Sequence, residues 1–211
     1  MLRRAALGSA AIMTAALAGP MLRPARSQAQ AADDEALRDF LAPAIALEQV
    51  AALAYATAAE AEATDARSRR LYERFRDQEQ AHANALRSAL DSLGFDLPDA
   101  PDSPTDSEVF DDVDGLEDAR ATELTELLGG LEGLRGEKEL LDHLARVERE
   151  QLRFYLDAAP PLDSEDLRRT SAEIVGNQAQ HLVVLRRALG DDPATAAAAV
   201  SAAVLAADSP G

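Results

Sequence analysis

With 211 residues and 47% hydrophobic content, the chain holds enough apolar surface for one domain with a full core. Alanine dominates, tryptophan is absent and β-branched alternation is almost missing, so the composition is all-α. A formal charge of −17 excludes nucleic acid and anionic membrane as partners, and the lack of cysteine excludes disulfides, thiolate metal sites and redox thiols.

Residues 1–31 read as an export signal rather than as part of the fold. Arg3-Arg4 precede an apolar Ala/Gly-rich run from Ala5 to Leu22, and Ala29-Gln30-Ala31 offers an A-x-A cleavage site. Gly8, Gly19 and Pro20 make the run a poor membrane span. The paired arginines and weak hydrophobicity resemble a twin-arginine signal, which implies the twin-arginine export machinery as a partner. The expected location is then periplasmic, extracellular or at the cell envelope, with the signal either cleaved or kept as a tether. This segment carries Arg3, Arg4, Arg23 and Arg26 and no acid, so its removal makes the remainder still more acidic.

The first helix is expected from Asp33 to about Ala63, with Leu37, Leu41, Ile45, Glu48, Ala52, Tyr55 and Ala59 on one stripe. Pro43 either kinks it or marks where its regular part starts. A short turn around 64–68 leads to a second helix ending at Gly94, and the short turn makes the two an antiparallel hairpin. Its stripe is Tyr72, Phe75, Glu79, His82, Leu86, Ala89 and Leu93. Residues 95–135 break the pattern: Pro98, Pro101 and Pro104 stand in a dense acidic run whose spacing does not match a calcium loop. Leu116 to Leu128 suggest a short helix ended by Gly129-Gly130.

A third helix is expected from Glu137 to Ala159, with Leu141, Leu144, Glu148, Leu152 and Tyr155 on its stripe. A fourth, capped by Asp163 or Ser164, carries Leu167, Ile174, Gln178, His181, Leu185 and Leu189 and ends at Gly190. The bundle is thus read over 32–190. The Ala-rich tail, 191–211, reads as a short surface helix without chemistry.

Each helix carries a polar residue in the middle of its apolar stripe, and burying a carboxylate without a partner costs several kcal/mol or shifts its pKa until it is neutral. The anomalies repeat. Glu48 and Tyr55 are seven apart, as are Glu148 and Tyr155; His82 follows Glu79 by three, as His181 follows Gln178. The chain is two copies of a helical hairpin, E-x6-Y followed by [E/Q]-x-x-H, joined by a long crossover. His143 has no counterpart in the repeat and reads as a partly exposed surface residue.

Four such clusters at matched depth meet at the centre of a four-helix bundle, the arrangement of di-iron and di-manganese carboxylate proteins. Over about 35–190 the chain resembles the ferritin-like superfamily, which includes rubrerythrins, ferritins and many bacterial ferritin-like domain proteins. The resemblance implies parallel second and third helices. The crossover must then climb the roughly 40 Å that a helix of about 27 residues spans. It also implies that Glu48, Glu79 and His82 form one metal position, that Glu148 and His181 serve a second together with Gln178, and that Glu79 bridges the two. Tyr55 and Tyr155 would support the catalytic centre as hydrogen-bond donors that fix the carboxylates, or else simply pack in the core.

Gln178 departs from the symmetric pattern. Four carboxylates neutralise two divalent ions, whereas three leave one positive charge, so the second ion should be held less tightly. Ferritin ferroxidase centres similarly have glutamine at the matching place. The implied cofactor is iron, as two ions or one, with manganese as the alternative, and the implied chemistry is Fe(II) oxidation by O2 or peroxide. The competing reading is a non-enzymatic stress or structural bundle whose metal site is degenerate. Assembly into a homo-oligomer stays open alongside a monomer.

Overall fold

The computed structural model describes residues 28–96, 122, 125–127, 130–131, 133–158, 162 and 164–207. Among these the regular structure is all helical. Helix α1 spans Gln28–Glu60, α2 Ala66–Leu93, α3 Glu137–Ala158, α4 Glu165–Ala188 and α5 Pro193–Ala207. The export segment falls outside the described residues except for 28–31, which begin α1. The acidic, proline-rich run lies outside them beyond Asp96. Of the short helix expected at 116–128, Thr122 and residues 125–127 are described and helical.

Local chemistry sets the helix ends. The Asp65 side chain accepts from the backbone N–H groups of Arg67 and Ser68, supplying two donors at the start of α2 with the acceptor that the helix itself lacks. Gly94 closes that helix at φ 80°, a conformation that costs glycine little. Ser164 caps α4 by accepting from Leu167 N–H. Helix α1 continues through Pro43, so the proline does not mark its start, and it stops at Glu60, short of the expected Ala63.

Two apolar clusters fix the topology. One joins Phe40, Leu41 and Ile45 of α1 to Leu86 and Leu90 of α2, Phe154 of α3 and Ile174 of α4. The other joins Tyr55 and Ala58 of α1 to Tyr72 and Phe75 of α2, Leu140 and Leu144 of α3, and Leu182 and Leu185 of α4. Helices α1 and α4 therefore run from the first cluster to the second, and α2 and α3 run back. With α2 and α3 parallel, the chain between them has to return along the bundle. Leu127 packs on the first cluster and Leu131 lies within the second, which marks that passage.

Every residue from Phe40 to Ala52 is buried, so α1 has no solvent face over that stretch. This accounts for its apolarity. The 29-residue segment Ala32–Glu60 is long and apolar enough to cross a membrane, yet 83% of its most apolar window is buried inside the bundle. Helix α5 packs against α3 and α4 and buries Ala196, so this part of the tail is docked on the bundle.

Candidate metal centre

Between the two apolar clusters lies a polar layer. Glu48, Glu79, Glu148 and Gln178 have no exposed surface, and His82 and His181 are buried beside them. Helical spacing explains the placement. The i, i+3 step brings Glu79 and His82, and likewise Gln178 and His181, to one face, and the hairpin partners present Glu48 and Glu148 at the same depth. The six Glu, Gln and His residues of the repeat all converge here.

Two overlapping groups result. Ligand atoms of Glu48, Glu79 and His82 lie within 4.8 Å of one another, as do those of Glu79, Glu148 and His181, so Glu79 is common to both. His82 Nδ1 is 3.0 Å from Glu48 Oε2 and 3.8 Å from Glu79 Oε2. His181 Nδ1 is 3.0 Å from Glu148 Oε1 and 3.0 Å from Glu79 Oε1.

Gln178 stands in the layer but turns toward the first group. Its Nε2 donates to Glu48 Oε1 and Oε2 at 3.2 and 3.3 Å and to Glu79 Oε2 at 3.1 Å. The expectation paired it with Glu148 and His181. Its amide NH2 instead meets the negative charge concentrated between Glu48 and Glu79. The tyrosines cross between hairpins: Tyr155 donates to Glu48 Oε1 at 2.7 Å, and Tyr55 donates to Glu148 Oε1. Both rings are also packed on aromatic neighbours, Tyr155 against Phe40 and Tyr55 against Phe75, so orientation and packing are served together.

Other contributors escaped the sequence reading. Gln151 Nε2 donates to Glu79 Oε2 at 3.2 Å. Gln78 Oε1 lies 3.0 Å from His181 Nε2, and Asn177 Nδ2 lies 3.0 Å from His82 Nε2. Gln78 and Asn177 each immediately precede the [E/Q]-x-x-H motif, and each reaches the histidine of the other hairpin. The signal was an amide in the same register of both copies. By holding Nε2, such an amide orients the ring and leaves Nδ1 facing the carboxylates.

His143 is a correction. It is buried, 1% exposed, and lies close to Gly130, where a Cβ would come within 3.2 Å of His143 Cε1. Burial and the neighbouring Arg146 push its pKa down to about 4, so the ring is neutral. It belongs to neither ligand group.

Burial together with the charge of Glu79 pushes the Glu48 carboxyl well up. Burial raises Glu148 to about 7. At Glu79 burial also favours the neutral form, but hydrogen bonds from His181 and His82 outweigh it and hold the carboxyl well below its usual range. Burial alone would lower both imidazoles. Glu48 and Glu79 instead raise His82 to about 10, and Glu148 and Glu79 raise His181 to about 9. Burial, with Glu148 beside Tyr55 and Glu48 beside Tyr155, drives both phenols far up, so they remain donors.

The donor set fits a divalent first-row cation. Carboxylate oxygen, imidazole nitrogen and amide oxygen suit iron, manganese or zinc. Glu148 Oε2, Gln178 Oε1 and Gln151 Oε1 are buried and meet no hydrogen-bond donor. Native interiors seldom leave such acceptors unpaired, and a cation would satisfy them.

The model of the family described as the ferritin-like domain matches residues 37–191. No curated protein and no solved structure matches the chain. The match takes in α1 from residue 37, the other three bundle helices in full and every residue of the polar layer, and the chain belongs to the ferritin-like domain family.

Proposed function

We propose that this is an exported metalloprotein holding a dinuclear iron carboxylate centre and oxidising Fe(II) with O2 or peroxide. The observation that carries the reading is the pair of buried ligand groups sharing Glu79, with unpartnered acceptor oxygens around them. Glu48, Glu79 and His82 would hold one ion. Glu148, His181 and the shared Glu79 would hold the other, with the Gln178 amide oxygen available on rotation. Iron bound there supplies the electrons that reduce the oxidant. The protein's part is to fix the ligands. Tyr55 and Tyr155 orient the carboxylates, Gln78 and Asn177 orient the imidazoles, and the flanking apolar clusters keep water away. Manganese fits the same donors and is the alternative ion. Export rests on Arg3-Arg4, the apolar run and the Ala29-Gln30-Ala31 site, and places the protein in the periplasm, envelope or medium.

A second reading, a non-enzymatic bundle with a degenerate site, draws on Gln178, whose amide nitrogen takes up lone pairs of Glu48 and Glu79 that an ion would use. Anaerobic Fe(II) loading followed by desalting and elemental analysis separates the two. The dinuclear reading expects about two irons per chain, with loss of binding in a folded Glu79→Ala variant and oxygen uptake on exposure to air. Absence of retained iron would put the second reading in its place.

A further inference from the structure

The strongest feature away from the polar layer is a groove of about 920 Å³ where the first turns of α2 and α3 meet the last turns of α4. Its rim is basic although the protein carries a charge of −17. Arg67, Arg70 and Arg74 stand at i, i+3 and i+7 on one side of α2, facing Lys138 of α3 and Arg187 of α4. Five cations line the groove against two acids, and both acids have structural duties. Asp65 caps α2 through its bonds from Arg67 and Ser68 N–H, and the Glu137 carboxylate accepts from the Ser68 hydroxyl. Arg70, Arg74 and Lys138 are exposed and form no side-chain hydrogen bond or ion pair among the described residues.

The floor is apolar, formed by Leu71, Leu141 and Val184 among others. Val184, 38% exposed, is one of two large hydrophobic residues standing out of the surface among the described residues; the other is Leu156. Like charges gathered from three helices repel one another, and an exposed valine beneath them gains by being covered. A ligand answering both needs carries negative charge at one end and apolar surface at the other. The volume falls in the range of about 300–1,000 Å³ usual for small-molecule sites.

We infer that this groove binds a small amphipathic anion, a phosphate or carboxylate on an apolar body. The inference is independent of any ion in the polar layer. It is tested on the full chain by fluorescence titration with anilinonaphthalene sulfonate at low salt, followed by competition. Saturable binding at one site per chain is expected, displaced by monomeric dodecyl phosphate and by dodecanoate. Inorganic phosphate should compete only at concentrations about a hundredfold higher or more, since it lacks the body that covers Val184. Arg70→Glu, Arg74→Glu and Val184→Asp, each made singly, should each weaken binding by about tenfold or more. Arg76→Glu, an equal change of charge at a residue outside the groove lining, should leave it unchanged. All these positions are on the surface, and melting curves confirm the fold of each variant. Equal weakening by Arg76→Glu would reduce the effect to net charge and overturn the site. Inorganic phosphate competing as well as dodecyl phosphate would overturn the amphipathic ligand. Sedimentation with phosphatidylglycerol vesicles that depends on Arg70 and Arg74, without displacement by either soluble amphiphile, would make this a membrane-contact face and overturn the proposal.

Discussion

Gln178 stands where the other hairpin has Glu79, and its contacts predict what a carboxylate there would do. Its Nε2 donates to Glu48 and Glu79, so Gln178→Glu removes a donor and sets a further acid against both. In chelator-treated protein this should cost on the order of 2 kcal/mol or more, because buried like charges disfavour the folded state. With a divalent ion present the sign reverses, and affinity for the second ion should rise about tenfold or more. Melting with and without chelator, together with anaerobic titration calorimetry, reads both effects. If neither changes, Gln178 does not stand at an ion position. At this scale the repeat made six residues of the layer legible, because buried polar side chains interrupt an apolar period. Gln78, Asn177 and Gln151 stayed hidden because an amide in a charged helix reads as solvent-facing. His143 was misplaced because residues near it, such as Gly130, come from the crossover, whose packing no helical period encodes.

The helix ends were legible wherever a single side chain makes them. Asp65, Ser164 and Gly94 each act through their own backbone geometry. Gly94→Ala should cost about 1 kcal/mol, since φ 80° is strained for alanine. A urea-unfolding midpoint that stays put would show that the end of α2 relaxes freely. Pro43 left two alternatives in the sequence. The helix passes through it because the carbonyl deprived of its partner belongs to Asp39, a half-buried residue at the edge of the core. The docking of α5 was not legible, because an Ala-rich helix that is apolar nearly all round carries no stripe to show which side is buried.

At the scale of the molecule, the hairpin repeat carried the family resemblance, and the resemblance implied the parallel α2 and α3 with the long return between them, so the architecture could be read before the packing was known. The layer's electrostatics also give the whole protein a characteristic response to pH. His82 and His181, raised to about 10 and 9, favour folding most below the free imidazole value near 6.5, and that contribution fades as pH climbs through 9–10. Glu148, raised to about 7, has the same sign: its neutral form is preferred in the fold, and its contribution fades from about 4.5 up to 7. Chelator-treated protein should therefore melt at steadily lower temperature from about pH 6 to 10. Over the same interval a divalent cation should bind more tightly and raise the melting temperature more, since it competes with protons for the same nitrogens. A melting temperature independent of pH across this interval would mean that these groups do not interact as their distances indicate.

Several polar contacts of the layer pass from one hairpin to the other: Tyr55 to Glu148, Tyr155 to Glu48, Gln78 to His181 and Asn177 to His82. Each therefore has a mate generated by exchanging the two copies. One hairpin paired with a duplicate of itself about a two-fold axis would present this same set of partners. Within one covalent chain the two hairpins thus meet as the halves of a symmetric dimer would. Gln178 opposite Glu79, and Gln151 where the other copy has Ala51, are differences between the halves that two identical hairpins could not show.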